Sequence, residues 1–206
     1  MVQASPNRME LQTQKAKLRT ATRGHKLLKD KQDALTKLFL EKVHVVKDLR
    51  EDIEKELKKA YSYFMIARGV MDTATANMVF EAASAEILLE AKVINTLGVR
   101  SPEFTFEQKG SLHEYGLVGT SAEVDSALDI FAGVTQKLIE LAEMEKLVEL
   151  LAIEIEKTRR RVNALEYRLI PQTQEIIRFI VMKLDEMDRS NLARLMKVKD
   201  IVRKEN

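Results

Sequence analysis

From about residue 8 to about residue 80, apolar side chains recur at helical spacing. They are Leu28, Leu35 and Phe39, then Val46, Leu49, Ile53, Leu57, Ala60 and Phe64. Steps of three and four residues describe an amphipathic helix whose stripe is as narrow as a coiled-coil seam. No proline falls in this stretch, and Gly24 and Gly69 are isolated in it. Asn7, with Glu10 three residues on, predicts the helix start. A second segment, from about 120 to 203, repeats the pattern. Its seam reads Val124, Leu128, Phe131, Thr135, Leu138 and Ala142, slips near Glu145, and resumes at Val148, Leu151, Ile155, Thr158, Val162, Leu165, Leu169, Gln172 and Ile176. Ser121, followed by Glu123 and Asp125, suits its N-terminus, where anions are favoured. Pro171 removes one helical hydrogen bond, which predicts a bend near 167–171 rather than a boundary.

The stretch 81–119 breaks the helical period. It holds Gly98, Pro102, Gly110, Gly116 and Gly119. Residues 103–107, EFTFE, alternate at period two and read as a short strand, with turn signals at Leu97-Gly98 and Ser101-Pro102. Residues 86–94 permit helix or strand. Two segments of this length would each span on the order of 100 Å as helices, and neither can bury its stripe alone. The expected fold is therefore mainly α: two long helices in an antiparallel left-handed coiled coil, with a short β-hairpin or knob at the distal tip. The whole of 1–206 is expected to form one elongated domain, with helices over 8–80 and 120–203.

Composition agrees. Of 206 residues, 32% are charged, 45% hydrophobic and only 5% aromatic, as in coiled coils. The absence of cysteine excludes a disulfide scaffold, a Cys-ligated metal and a thiol nucleophile. No uncharged stretch approaches the roughly 20 apolar residues of a membrane span. The N-terminal MVQASPNRMELQ lacks the apolar core of a secretion signal, so a cytoplasmic chain is expected.

A net charge of +2 conceals a separation. Residues 1–31 carry eight basic and two acidic side chains, residues 157–206 thirteen and seven, and residues 32–156 thirteen and twenty-three. Both ends are basic and the middle is acidic. In an antiparallel pair the two ends meet, and charge so arranged speaks to partners rather than to fold.

Catalytic and ligand motifs are scarce. Glu41-x-x-His44 has the spacing of a di-iron carboxylate helix, but no second copy accompanies it. His44 reads as a helix-surface residue. There is no phosphate-binding glycine loop. A two-helix scaffold offers no dry concavity for acid–base chemistry. No cofactor, metal or directly bound nucleotide is expected. Two interaction readings follow from the residues alone: a nucleic-acid-binding coiled coil, whose basic segments would be 15–31 and 157–161, and a homodimeric structural coiled coil. The basic segments keep their own apolar spacing, which argues against a nucleic-acid arm. Tyr61, Tyr63, Met65, Met71 and Met78 suggest packing, or a partner surface where the coil runs out.

Ser5-Pro6-Asn7-Arg8-Met9-Glu10-Leu11, Arg23-Gly24-His25-Lys26-Leu27-Leu28-Lys29-Asp30-Lys31 and Asp33-Ala34-Leu35 resemble the N-terminal signature of the D subunits of V/A-type ATPases. The second helix continues the match with TRRRVNALEY at 158–167 and Ile170-Pro171. GHKLLKDK resembles the bacterial and archaeal branch of that family. The resemblance is strong over about 5–60 and 120–200 and loose over 70–119.

The resemblance implies a non-catalytic rotor shaft that couples ATP hydrolysis or synthesis in a hexamer of A and B subunits to ion transport through a membrane ring. Implied partners are the A and B subunits, the small rotor F subunit, and the C (d) subunit above the ring, with no nucleic acid. It implies a location peripheral to the membrane on its cytoplasmic side. It also resolves 86–94 as strand, since the family carries a hairpin there. Arg8, Lys26, Lys29, Arg159, Arg160, Arg161, Arg194 and Lys197 become the candidate head contacts. Ile53, Leu57, Tyr61, Phe64, Ile87, Leu89, Phe131 and Leu138 become the candidate contacts to F.

Overall fold

A computed structural model describes residues 5–81, 85–113, 115–116 and 120–205, without the side chains of 80, 81, 204 and 205. Parts of the expected 81–119 segment, namely 82–84, 114 and 117–119, lie outside the described residues. The elements in chain order are α1 (Arg8–Val70), α2 (Thr73–Glu81), β1 (Glu86–Thr96), β2 (Val99–Lys109), α3 (Ala122–Ala164), a π-helical turn (Leu165–Leu169) and α4 (Ile170–Glu205). The chain divides into two compact units, residues 35–155 and residues 1–34 with 156–206.

In the unit 35–155, α1 and α3 pack antiparallel. Leu35 shares a buried cluster with Leu151, Ile53 with Val134 and Leu141, and Ala67 with Val124, so one residue number rises as its partner's falls. The seam runs through Val134 and Leu141, while Leu138 and Ala142 are exposed. Val148 follows Leu141 by seven residues, one heptad, so no slip near Glu145 is needed. The helix expected over 8–80 is divided: α1 stops at Val70 and α2 restarts at Thr73. The break lets Met71, Ala76 and Val79 turn into the cluster around Val124. Ser121 caps α3 as expected, its hydroxyl accepting from the Glu123 amide at 3.4 Å.

β1 and β2 form one antiparallel hairpin with Thr96 opposite Val99. Leu97 (φ 53°) and Gly98 (φ 88°) make the two-residue turn, both left-handed, which is the type I′ geometry that matches strand twist. The hairpin runs back along α3. Val99 is buried with Leu35 and Leu151, and the Phe104 amide donates to a Glu143 carboxylate oxygen at 2.9 Å.

In the unit 1–34 with 156–206, α1 begins under an Asn7 cap, whose side-chain oxygen accepts from the Met9 amide at 3.3 Å. The start of α1 lies antiparallel to α4 and the end of α3. Arg8 meets Asp188 at 3.5 Å, and His25 meets Glu166 at 3.3 Å. Ala21, Val162 and Ile180 are buried, as are Thr158 and Thr173. Pro171 is accommodated locally. The Ile170 amide reaches back five residues to the Leu165 carbonyl, widening the turn ahead of the proline, and the Thr173 hydroxyl donates to the Leu169 carbonyl at 2.7 Å.

Candidate partner-binding surfaces

The unit 1–34 with 156–206 holds 21 basic and 11 acidic residues, a net of +10. Arg8, Lys26, Lys29, Arg159, Arg160, Arg161, Arg194 and Lys197 are all exposed. Arg8 is held by Asp188 and Arg160 by Glu156, so both face solvent with a carboxylate nearby. The π turn opens an apolar groove of about 460 Å³, lined by Leu28, Ala164, Leu165 and Leu169 and flanked by Arg161, Arg168 and Gln172. Beyond Asp188, α4 exposes Leu192, Leu195, Met196, Val198, Ile201 and Val202. An apolar helix end of this kind, edged by basic residues, is suited to a protein surface of opposite charge.

The unit 35–155 holds 13 basic and 21 acidic residues, a net of −8. Its exposed apolar residues gather on β1 (Ile87, Leu88, Leu89, Val93 and Ile94) and on the end of α1 (Tyr61, Tyr63, Met65, Ile66 and Val70). Tyr61 stacks edge-on against Phe131, with ring centroids 5.7 Å apart. Lys137 pairs with Glu56 at 2.6 Å, tying α3 to α1 beside this surface.

Of the expected contacts to F, Tyr61, Ile87, Leu89 and Leu138 are exposed, and Leu57, Phe64 and Phe131 are half-buried. Ile53 is different. At 4% exposure it packs with Val134 and Leu141 inside the helix pair and presents no surface. Its place on the seam already implied this. Leu88, Val93 and Ile94 fall within 84–108, a stretch also expected to meet F, but were not among the residues named, although they are as exposed as their neighbours. A two-stranded sheet can cover little of either strand, and that is the signal that could have found them. The groove at the π turn had one sequence signal, Pro171, whose missing N–H must be accommodated somewhere in the preceding turn.

Among the described residues, no group of three or more His, Asp or Glu side chains is placed to hold a metal ion. His113 stands between Asp125 (3.3 Å) and Asp129 (3.0 Å) at the start of α3. Tyr115 donates to Asp125 there, and burial, reinforced by that hydrogen bond and by the charges of Asp125 and Asp129, pushes its hydroxyl above the ordinary tyrosine range. Among the described residues, no helix is long and apolar enough to cross a membrane.

Residues 10–200 match the family of ATP synthase D subunits. The chain belongs to that family. It is similar to the V-type ATP synthase D subunit of Clostridium botulinum (strain Langeland), 47% identical over 203 residues, covering 96% of this chain and 94% of the relative. It is also similar to the V-type ATP synthase D subunit of Thermoanaerobacter sp. (strain X514), 48% identical over 209 residues, covering 99% of each. The match includes both basic termini and the hairpin. The matched span of 10–200 thus takes in 70–119, where the resemblance of the motifs is loose.

Proposed function

We propose that this chain is the central shaft of a V-type rotary ATPase and carries no catalytic residue of its own. The observation that carries the reading is near-full-length similarity to V-type ATP synthase D subunits, in a chain whose two units differ in charge by sign. The basic unit faces the hexamer of catalytic A and B subunits. The acidic unit faces the small rotor F subunit and the C (d) subunit above the membrane ring. Rotation couples ATP hydrolysis or synthesis to ion transport.

The mechanism needs no reacting group. Three chemically alike catalytic interfaces surround one asymmetric helix pair, and each meets a different face of it. Differential contact energy then favours a different state at each interface. Arg8, Lys26, Lys29, Arg159, Arg160, Arg161, Arg194 and Lys197 supply exposed positive charge for acidic or polar loops of the head. Exposed ion pairs of this type are individually weak, which suits contacts that release at every step. Leu57, Tyr61, Phe64, Ile87, Leu89, Phe131 and Leu138 supply the surface for F, while Ile53 supports it from the core.

Co-expression with candidate A, B and F subunits, followed by size-exclusion chromatography, tests the reading. A complex containing all four is expected, and a chain that elutes apart from both F and the A/B head rejects it. Replacing Arg159, Arg160 and Arg161 by glutamine is expected to weaken head assembly or ATP-driven torque, with F binding unchanged. Full coupling in that variant would reject these residues as head contacts.

A further inference from the structure

The hairpin leaves one edge open, and its sequence is complementary to itself. The Phe104 amide points away from β1 toward Glu143, so Phe104 and Ala91 are a pair without mutual hydrogen bonds. The two-residue turn gives the same parity, since Thr96 and Val99 close it as a bonded pair. Pro102 agrees as well: it lies opposite Val93, where a missing N–H breaks no ladder bond. The backbone N–H and C=O groups of Ile87, Leu89, Ala91, Val93 and Asn95 therefore point outward from β1. Every one of these residues is exposed. β2's outer edge is engaged by Glu143, whereas β1 offers an uncovered apolar edge with no proline, a template for strand addition.

We propose that a second copy of this chain occupies that edge when the chain is unassembled, pairing β1 with β1 antiparallel about a two-fold axis at Ala91. In this register the outward-facing groups meet only one another: Ala91 opposite Ala91, Leu89 opposite Val93, Ile87 opposite Asn95. On the other face, Glu90 meets Lys92 of the second copy twice over, and Leu88 meets Ile94. Opposite charges and apolar pairs directly across a sheet are the favourable combinations. A two-fold contact requires this self-complementarity of one patch. The result is a four-stranded sheet, β2-β1-β1-β2. At about 4.8 Å per strand, the two β2 strands stand about 14 Å apart, wider than a helix of about 10–12 Å, so an α3 beside each β2 is accommodated. The proposal goes beyond the shaft reading, which uses one copy. Because the expected F contacts Ile87 and Leu89 lie on this edge, binding F would separate the pair.

Sedimentation velocity on the full chain alone, over a concentration series, tests it without any other subunit. A reversible dimer is expected. Lys92→Glu is expected to weaken it about tenfold by setting like charges across the sheet, and Glu90→Lys added to Lys92→Glu is expected to restore it. Ala91→Pro removes an outward N–H and no β1–β2 bond, so it is expected to abolish the dimer with the fold intact. The chain has no cysteine. Under mild oxidation Ala91→Cys is expected to form a disulfide-linked dimer, because a bonded pair has Cα atoms about 5.5 Å apart. Val93→Cys, displaced from the axis, is expected to form none. A chain monomeric at every concentration would overturn the proposal and leave the edge to another protein's strand. A dimer indifferent to these substitutions would overturn it in favour of contact through the helices. Neither result bears on co-assembly with A, B and F, so failure here and failure of the shaft reading remain distinguishable.

Discussion

Among the described residues, the unit 35–155 buries thirteen apolar side chains, and the unit 1–34 with 156–206 buries three: Ala21, Val162 and Ile180. The first unit has three apolar clusters that run from Leu35 and Leu151 to Ala67 and Val124. In the second, exposed apolar residues along α4 outnumber the buried ones. Fully burying one large aliphatic side chain contributes about 1.5–3 kcal/mol, against about 1–2 kcal/mol of backbone entropy per residue ordered. Unit 35–155 is built to hold itself together. The other is built to be completed by something else, which under the shaft reading is the catalytic head.

The sharpest break of this comparison is a matched pair of truncations. Leu151 is fully buried, and Leu151→Ala is expected to cost about 2–5 kcal/mol by the transfer and cavity terms. Leu195 is 68% exposed, and Leu195→Ala is expected to change stability by less than about 0.5 kcal/mol. Urea unfolding followed by circular dichroism measures both. Equal costs would mean that the α4 end is covered within the chain, and the contrast between the units would fall.

A second test concerns order rather than energy. Beyond Asp188, α4 continues for 17 residues, and none of those whose side chains are described is buried. An isolated helix of about 12–15 residues is marginal in water. Amides of 190–205 are expected to exchange quickly in the chain alone, while those around Leu35, Ile53 and Leu151 exchange slowly. On assembly with A and B subunits, the 190–205 amides are expected to slow. Hydrogen exchange read by mass spectrometry resolves the two stretches, and protection of 190–205 in the isolated chain would contradict the expectation.

The same contrast explains what the sequence made legible. Periodicity located the helix pair because buried positions repeat: Leu35, Ile53, Ala60, Val124, Leu151 and Val162 were all on the expected seam, and all are buried. The same rule misplaced one stretch, reading Leu138 and Ala142 inward where Val134 and Leu141 turn in. With apolar residues at both registers, spacing alone could not choose. The split of the first helix at Met71 was not legible either, since no proline marks it. Charge separation was readable from counts alone. The hairpin's open edge was not, because strand pairing parity depends on which way one amide points. Individual partner contacts have no local signature in a solvated helix: Ile53, Leu57, Phe64, Phe131 and Leu138 were each read both as seam and as contact, and burial separates Ile53, inside the pair, from Leu138, on the surface.

The turn of the hairpin gives a smaller effect within the self-sufficient unit. Leu97 adopts φ 53°, a region that costs a residue with a Cβ about 1–2 kcal/mol. Asparagine tolerates this region and is favoured at the first position of a type I′ turn. Leu97 is half exposed, so Leu97→Asn forfeits little burial. The substitution is expected to stabilise the chain by about 0.5–1 kcal/mol, seen as a higher urea midpoint at unchanged slope. A lower midpoint would mean that Leu97 packs on the helix pair.

The smallest effect sits at the α3 N-terminus. Tyr115 donates its hydroxyl to Asp125, with Asp129 nearby, and its folded-state pKa lies above the unfolded value of 10.0. A raised folded pKa means the protonated form is the one that folding favours. The stability it contributes is complete below about pH 10 and is lost as pH rises from there through the folded value. Ionisation would place a phenolate against two carboxylates in a partly buried site. Difference absorbance should therefore show one of the four tyrosines titrating later than an ordinary phenol, and Tyr115→Phe should remove that late component alone. If the component lost in Tyr115→Phe titrates near pH 10, Tyr115 is solvated, and the contact joining it to α3 does not hold in solution.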